Sequence, residues 1–280
     1  MSKPELIKFV AANSWGNCRN DEFIAFLSSD WCKDADVIAL SEVFHTPHHE
    51  LDTMCWDNSW KQHLNSKALL LQAVSDEYHH FYTANSVGRD HTYSETGTDF
   101  KDVAFGNLLF VHKKNRSIWF DAEVSPDFDK NGFQVRTRYG NGVITEVNGL
   151  TYLKFHFHGL WLLGNTKGNS PFRDQQSANV LKAIEDVRKL HNVDRVVFGG
   201  DMNLDHDTTA LQMFVDAGYR NLNVEFGINN TRTPLYREYG KPGKSMHADY
   251  MFACKDTVVT EYHVPDIPIS DHRPLIVKFF

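Results

Sequence analysis

Asp201 and Asn203 directly follow an apolar run that ends in two glycines, Val196-Val197-Phe198-Gly199-Gly200. The run predicts a buried strand. Residues two apart in an extended chain point the same way, so both polar side chains should face one site at the strand's end. The glycines permit a sharp turn and the close approach of another group. A carboxylate that handles a water molecule, beside a neutral hydrogen-bond donor, suits hydrolysis at a phosphorus centre.

Other predicted strands also carry polar residues at their tips, namely Asn13, Glu42, His158 and Asp249. Asp271 and His272 lie just before the last predicted strand. Carboxylate and amide oxygens suit a hard cation such as Mg²⁺ or Mn²⁺. Carboxylates and a histidine near a phosphate could hold that cation, orient a water molecule and stabilise the charge of the pentacoordinate transition state. The pattern therefore predicts metal-dependent chemistry on a phosphate ester.

The ordered set resembles the endonuclease/exonuclease/phosphatase superfamily, which includes pancreatic-type deoxyribonuclease, apurinic endonucleases, sphingomyelinases and inositol polyphosphate phosphatases. The motifs that carry the resemblance are Asn13, Ser41-Glu42-Val43 (with Ser in place of the family's Gln), Gly200-Asp201-Met202-Asn203, Ala248-Asp249-Tyr250 and Ser270-Asp271-His272. Each short motif is weakly specific alone. The ordered set spans residues 13–272, which is nearly the whole chain.

The resemblance implies an α/β fold, a four-layer α-β-β-α sandwich in which two mixed β-sheets face each other and helices lie outside. Strands and helices alternate to the end of the sequence without a linker, so we expect a single catalytic domain over residues 1–280. The resemblance also implies that Glu42 is the main metal ligand. Asn13 and Asp271 would lie near the same ion, which would be Mg²⁺ or Mn²⁺.

The catalytic roles are likewise implied by the resemblance. Asp201 would orient or deprotonate the attacking water, and Asn203 would hold the phosphate. His272 would contact a phosphate oxygen while Asp249 holds its other ring nitrogen, a pairing that selects the tautomer and raises basicity. His158 corresponds to the histidine of the family's Asn-x-His-Leu strand, where it would either meet the phosphate or protonate the leaving group.

Some positions depart from the family pattern. The strand reads His-Phe-His-Gly-Leu, so His156 and His158 are both candidates; the following Gly159-Leu160 favours His158, and His156 is predicted to be a packed histidine. Arg232, in the Thr231-Arg232 pair, is predicted to contact the anion. Asn107, in the region where apurinic endonucleases carry a tyrosine, is predicted to bind substrate.

Composition limits the partners. The net charge is −7, so a broad basic surface for nucleic acid is not indicated, although a narrow basic groove or a bound metal could hold a polyanion. The four cysteines form no CxxC pair, which argues against a zinc knuckle or a disulfide framework. The sequence shows neither a signal peptide nor a membrane span, and no obligate protein partner is evident. We therefore expect a cytoplasmic protein.

The resulting hypothesis is a divalent-metal-dependent phosphoesterase that uses an activated water in an in-line displacement. Its leading substrate is a phosphodiester in DNA or RNA, a choice based on how often the family acts on nucleic acid. A phosphomonoesterase, or a phospholipid or inositol-phosphate phosphoesterase, is the alternative within the same chemistry. A non-catalytic binding protein on this fold is the alternative of another class.

The hydrophobic periodicity predicts the elements that position these residues. Strands are expected at 6–12, 37–40, 105–113, 117–124, 134–147, 151–157, 248–254, 258–263 and 275–280, and helices at 21–27, 46–75, 170–190 and 208–216. Asn148-Gly149 predicts a tight hairpin turn, and residues 86–101 read as a loop. The long segment 45–101, with Trp56, Trp60, His63 and Arg89, is the hypothetical determinant of substrate specificity.

Overall fold

Two six-stranded β-sheets form the centre of the molecule, for which a computed structural model describes residues 5–47, 53–55, 61–87, 103–125, 138–161 and 167–280. The strands are β1 Ile7–Asn13, β2 Val37–His45, β3 Thr53–Cys55, β4 Lys61–His63, β5 Tyr78–Val87, β6 Ala104–His112, β7 Ser117–Glu123, β8 Tyr139–Val147, β9 Leu150–Phe157, β10 Arg195–Asp201, β11 Tyr219–Asn221, β12 Asp249–Cys254, β13 Val259–His263 and β14 Leu275–Phe279. The helices are α1 Asn20–Leu27, α2 Ser66–Ala73, α3 Pro171–His191, α4 Thr209–Asp216 and α5 Leu222–Glu225.

The first sheet has the order β13-β14-β1-β2-β6-β5, and the second has the order β11-β12-β10-β9-β8-β7. The strands β3 and β4 form a separate two-stranded sheet. Both large sheets contain parallel and antiparallel neighbours: β1 is parallel to β2 and antiparallel to β14, while β10 is parallel to β9 and antiparallel to β12. The four-layer sandwich of two facing mixed sheets, expected from the sequence, is confirmed.

Strand alternation builds the layers, because successive side chains point to opposite faces. Phe9 of β1 and Val197 of β10 belong to one core between the sheets. Val10 of β1 packs outward with α1 and α2, and Phe198 of β10 packs outward with α3 and α4. The apolar runs of these strands are therefore continuous because both faces are buried, as in sheets covered on each side.

The ends of the predicted elements agree closely with the structure where short-range chemistry determines them. The hairpin turn after β8 has Asn148 and Gly149 both at positive φ, 53° and 77°, as a tight two-residue turn requires. Helix α3 begins with Pro171 after an extended Ser170, and it ends at Asn192 in the left-handed conformation.

Cys18, Cys32 and Cys254 are free thiols.

The predicted helix at 46–75 is confirmed at Ser66–Ala73 and wrong at Thr53–Cys55 and Lys61–His63, which are strands; residues 48–52 and 56–60 lie outside the described residues. Strand β5 was missed. It begins with Tyr-His-His-Phe-Tyr and lies at the edge of its sheet, so it lacks a clear apolar period. In the predicted loop, residues 86–87 belong to β5; Trp56, Trp60 and Arg89 lie outside the described residues.

Among the described helices, none has the length and apolarity needed to cross a membrane.

The strand registers bring the polar strand ends together at one end of the sandwich. Asn13 at the end of β1 pairs with Ser41 on β2, next to Glu42. In the other sheet Asp201 at the end of β10 pairs with Asp249 at the start of β12. These two pairs belong to facing sheets, so the candidate site lies where the sheets meet.

Candidate active site

The Asp201 carboxylate is the centre of the candidate site. Its Oδ2 accepts a hydrogen bond from Asn13 Nδ2 at 2.9 Å and lies 3.4 Å from His272 Nε2 and 3.5 Å from His158 Nε2. Burial would raise the pKa of Asp201, but His272 and His158, together with the Asn13 amide, hold it well below its ordinary value. Asp201 is therefore a buried carboxylate that stays ionised.

The turn after β10 holds Asn203 against Asp201. The Asn203 backbone N–H donates to Asp201 Oδ1 at 3.0 Å, and the residue has a positive φ of 53°. Its side-chain Nδ2 lies 3.4 Å from the Gly159 carbonyl and 3.3 Å from His158 Nε2. Asparagine tolerates the left-handed region better than most residues, so its occurrence here has both a backbone and a side-chain reason.

His272 and Asp249 form the expected pair. His272 Nδ1 lies 2.9 Å from Asp249 Oδ2, and Thr231 Oγ1 accepts hydrogen bonds from the backbone N–H groups of Ala248 and Asp249 at 3.0 and 3.1 Å. Burial raises the pKa of Asp249. Burial and Arg232 lower the pKa of His272, but Asp201 and Asp249 outweigh them and raise it to about 9. His272 is thus oriented through Nδ1, and its Nε2 faces the centre.

Arg232 connects the Thr231 segment to the Ser270-Asp271-His272 segment. Its Nη1 donates to Asp271 Oδ2 at 2.8 Å and also contacts His272 Nε2. Its guanidinium lies 4.4 Å from the centre of the Tyr236 ring, and Lys167 Nζ lies 5.0 Å from the same ring. Burial and the nearby Arg232 lower the pKa of Lys167 to about 8. Two cationic side chains therefore flank the acidic centre on this side.

Glu42 reaches the site through a bulge in β2. The pairing between β2 and β6 shifts register between Leu40 and Val43, and Glu42 has a positive φ of 57°. A non-glycine residue in this conformation is strained, and such strain concentrates at functional sites. Glu42 Oε1 lies 3.7 Å from His158 Nε2. Burial and the negative charge of Asp271 raise the pKa of Glu42 to about 7.

The donor set fits a divalent cation. Ligand atoms of Glu42, His158 and Asp201 lie within 4.8 Å of one another, as do those of Asp201, Asp249 and His272. Burial and the negative charges of Asp271 and Asp201 raise the pKa of Glu42, so a cation beside it would favour its ionised form. Oxygen ligands with excess negative charge are what Mg²⁺ and Mn²⁺ prefer. Glu42 would be the main ligand, and Asn13 and Asp271, the other two predicted ligands, both lie close enough to affect its pKa. A bound cation there would polarise a phosphate oxygen.

Arg138 is a site residue that the sequence did not indicate. It is buried, and its Nη1 lies 3.4 Å from His158 Nδ1. The local sequence Arg136-Thr137-Arg138-Tyr139 falls in a predicted strand, whose alternation does not distinguish a buried arginine from a solvated one. The only local sign that Arg138 has a special environment is its position just before Gly140 and Gly142. The contact itself depends on the packing of β8 against the end of β9.

His158, rather than His156, reaches the centre. His156 lies two residues earlier on the same strand and is fully buried. Neither of its ring nitrogens has a hydrogen-bond partner among the described residues, and burial lowers its pKa to about 4. The prediction that His156 is a packed histidine is consistent with this burial.

The space beside Gly199, at the end of β10, is filled by the neighbouring strand: a Cβ at Gly199 would lie 2.2 Å from the Tyr250 carbonyl oxygen.

Asn107 does not join the residues around Asp201. It is fully buried in β6, and its Nδ2 donates to the Tyr139 carbonyl at 2.9 Å. That bond joins β6 of the first sheet to β8 of the second, beside Arg138. Its contact with substrate stays a prediction, and the bond to Tyr139 gives it a structural task.

The sequence matches the Endonuclease/Exonuclease/phosphatase family over residues 10–272. No curated protein matches it. The structure is similar to a mannosyl-6-phosphatase from Bacteroides thetaiotaomicron, with a TM-score of 0.65 at 16% identity, covering 98% of this chain and 99% of that one. It is also similar to the catalytic domain of human Nocturnin with bound sulfate, with a TM-score of 0.64 at 14% identity and 99% and 93% covered. At these identities the likenesses establish a shared fold.

Proposed function

Because this chain belongs to the endonuclease/exonuclease/phosphatase family and is a hydrolase of phosphoester bonds, we propose that it cleaves phosphodiesters in DNA or RNA with Mg²⁺ or Mn²⁺. The observation that carries the proposal is the Asp201 carboxylate, which lies within 3.5 Å of two imidazoles and is kept ionised by them. An ionised carboxylate at that point can orient a water molecule and accept its proton as the water attacks phosphorus.

The surrounding residues supply the rest of the reaction. Asn13 holds Asp201 through a hydrogen bond of 2.9 Å, so the carboxylate presents its free lone pairs to the water. The Arg232 guanidinium is placed to donate to the oxygens of the phosphate, and so is His272 Nε2 when the ring is protonated, with Nδ1 held by Asp249. Their positive charge would stabilise the additional negative charge of the pentacoordinate transition state.

Charge, in addition to the family, supports the proposed substrate class. A diester carries one negative charge at the scissile phosphate, which the buried Arg232 and His272 can match. The chain as a whole has a net charge of −7, so a nucleic acid would be held in a short cationic stretch beside the site rather than on a broad basic face. Lys167 and Arg232, which share the Tyr236 ring, are the described residues that could provide that stretch.

A phosphomonoesterase is the second candidate. The observation that favours it is that Lys167 and Arg232 both lie beside the site. A monoester dianion gains more than a diester from a second positive charge there. The similarity to a mannosyl-6-phosphatase is consistent with such a substrate, although at 16% identity it concerns the fold.

A parallel screen tests the proposal. DNA, RNA, cyclic nucleotides, inositol phosphates and mannose 6-phosphate are incubated with the protein and Mg²⁺ or Mn²⁺, with EDTA as the control. Cleavage of DNA or RNA supports the proposal, whereas release of phosphate from the monoesters alone supports the second candidate. Activity on bis-p-nitrophenyl phosphate that resists EDTA and survives both Glu42→Gln and His272→Ala would contradict this site as its source. A folded protein inactive on every substrate would instead indicate a binding protein.

A further inference from the structure

His158 has different neighbours at its two ring nitrogens. Nδ1 faces the Arg138 guanidinium, with Nη1 at 3.4 Å. Nε2 faces the acidic centre, with Asp201 Oδ2 at 3.5 Å and Glu42 Oε1 at 3.7 Å. Nε2 also lies 3.3 Å from Asn203 Nδ2, an amide that has an alternative acceptor in the Gly159 carbonyl at 3.4 Å. Apart from that amide, the ring lies between a group that can only donate hydrogen bonds and groups that, when ionised, can only accept them.

This arrangement selects one tautomer. An arginine guanidinium has five N–H donors and no acceptor, so the ring nitrogen beside it has to supply a lone pair. In a neutral imidazole the other nitrogen then carries the hydrogen. His158 is consequently the Nε2–H tautomer, with its single N–H directed at the place where the carboxylates of Asp201 and Glu42 converge. In this tautomer the Asn203 amide donates to the Gly159 carbonyl at 3.4 Å rather than to His158.

Arg138 is held firmly enough to impose that choice. Its backbone N–H donates to Ser125 Oγ at 2.7 Å, and its carbonyl accepts from the Val124 N–H at 2.8 Å. Its guanidinium lies 5.8 Å from the centre of the Phe105 ring, and the His158 ring lies 5.8 Å from the same centre. Arg138 and His158 are both almost completely buried, 2% exposed each. The Phe105 ring and the backbone hydrogen bonds of Arg138 therefore hold Arg138 and His158 on the same side of the site.

The charge of Arg138 acts in the same direction as its hydrogen bond. A positive charge 3.4 Å from Nδ1 disfavours a second proton on the His158 ring. His272 has the opposite arrangement, with the Asp249 carboxylate at Nδ1 and the Arg232 guanidinium at Nε2. The two site histidines are thus oriented by partners of opposite charge.

We propose that Arg138 is a positioning residue that holds His158 as a neutral Nε2–H hydrogen-bond donor to the substrate phosphate or the attacking water, so that His158 does not protonate the leaving group. The inference rests on the proposed hydrolysis for its catalytic consequence, but the tautomer is a property of the protein without substrate. It separates the two roles that the sequence left open for His158. It also assigns a task to a residue outside the family motifs quoted above.

The first measurement needs no substitution. Long-range ¹H–¹⁵N NMR of the metal-free protein with ¹⁵N-labelled histidine distinguishes the two neutral tautomers by the shifts of their ring nitrogens, and loss of the signal in His158→Gln assigns it. The expected pattern is Nε2 protonated and Nδ1 unprotonated at pH 7. An Nδ1–H tautomer or an imidazolium at His158 at that pH would overturn the inference, whatever the protein's activity.

The second measurement changes the partner. Arg138→Lys retains a cationic donor at Nδ1 and should keep the wild-type pattern, whereas Arg138→Glu offers an acceptor and should place the hydrogen on Nδ1. Arg138→Gln is a milder replacement for Glu in case a buried carboxylate prevents folding. Arg220→Met, on the edge strand β11, removes an arginine whose guanidinium bonds to Glu225 and the Thr257 carbonyl, and it should leave the His158 signals unchanged.

The third measurement separates donor from acid. Hydrolysis rates of bis-p-nitrophenyl phosphate and diphenyl phosphate, which differ in the basicity of the leaving phenolate, are compared for wild type, His158→Ala and Arg138→Glu. We expect both substitutions to reduce kcat by a similar factor for the two substrates, and Arg138→Lys to restore most of it. A loss about 10²-fold greater on diphenyl phosphate would identify His158 as a general acid and refute the proposal. Absence of hydrolysis in wild type would refute the proposed function and leave the NMR result to decide on Arg138.

Discussion

Asn13 Nδ2 donates a hydrogen bond of 2.9 Å to Asp201 Oδ2, and the two residues end strands of different sheets, 188 positions apart in the chain. The bond crosses the boundary between the two halves of the sandwich at its open end. Because Asp201, the carboxylate proposed to handle the attacking water, is held by a residue of the other sheet, the site is complete only when the sheets are packed together.

Metal binding should depend on pH through Glu42. Its pKa is raised to about 7, so in the metal-free protein a proton competes with the cation below that pH. The apparent affinity for Mn²⁺, measured by isothermal titration calorimetry, should fall about tenfold per pH unit below pH 7 and level off above it. Glu42→Gln should bind Mn²⁺ weakly at every pH.

Glu185→Gln, on the outer helix α3, is the matched control, because Glu185 is 48% exposed and far from the site. It should bind Mn²⁺ like wild type. Equal affinity of Glu42→Gln and wild type at pH 8 would exclude Glu42 as a ligand.

Asp249→Asn should inactivate without unfolding. Asp249 lies 2.9 Å from His272 Nδ1, and an asparagine there can donate its amide hydrogens to Nδ1 and stabilise the wrong tautomer. We expect kcat on bis-p-nitrophenyl phosphate to fall by about 10² or more, with little change in KM. Circular dichroism reports whether the fold is retained. Asp256→Asn, in an exposed turn, should have wild-type kcat; a wild-type kcat in Asp249→Asn would show that His272 needs no orientation.

Gly159→Ala should destabilise the fold because the backbone just after strand β10 leaves no room for a Cβ at this position. A Cβ at this position would lie 2.1 Å from the Met202 carbonyl oxygen, and the Gly159 N–H donates to the Asp201 carbonyl at 2.6 Å. We expect the free energy of unfolding in urea to fall by about 2 kcal/mol. Gly168→Ala meets nothing within 4 Å and has an ordinary φ, so its effect should stay within about 0.5 kcal/mol. Equal effects of the two substitutions would contradict the close contact.

Lys154→Met should stabilise the protein, most strongly in neutral and acidic solution. Lys154 is fully buried between the sheets beside Thr145, and burial lowers its pKa to about 7 from an unfolded value of 10.5. The unfolded chain therefore binds a proton more tightly than the folded chain, which costs stability fully below pH 7 and progressively less as the pH rises toward 10.5.

The free energy of unfolding of Lys154→Met should exceed that of wild type by on the order of 3 kcal/mol at pH 6, and the difference should shrink by pH 10. Exposed Lys255→Met is the control and should show no such trend. A gain that is constant with pH would mean that Lys154 is charged in the folded protein at all pH values.

Much of the fold was predictable because it depends on near neighbours. The alternation of Val196-Val197-Phe198 indicates a strand buried on both faces, and Asn148-Gly149 indicates the hairpin turn from backbone preference alone. The prediction failed at Thr53–Cys55, at Lys61–His63 and at β5, where the apolar residues keep no steady period. Thr53–Cys55 pairs with Lys61–His63, and β5 pairs with β6, so a partner strand rather than the apolar period of the segment itself decides the conformation there.

The sequence by itself determined the identity and order of the polar residues at the strand ends, from Asn13 to His272, and with them the family. Residue types and spacing along one strand carry that information, since each depends on only a few adjacent positions. The tertiary structure alone decided that Glu42 is aimed by a bulge at φ 57°, that Arg138 stands beside His158, and that a lysine is buried at position 154. Hydrogen bonding, desolvation and charge repulsion act between groups that are distant in the chain, and the packing of the two sheets sets the distances on which they depend.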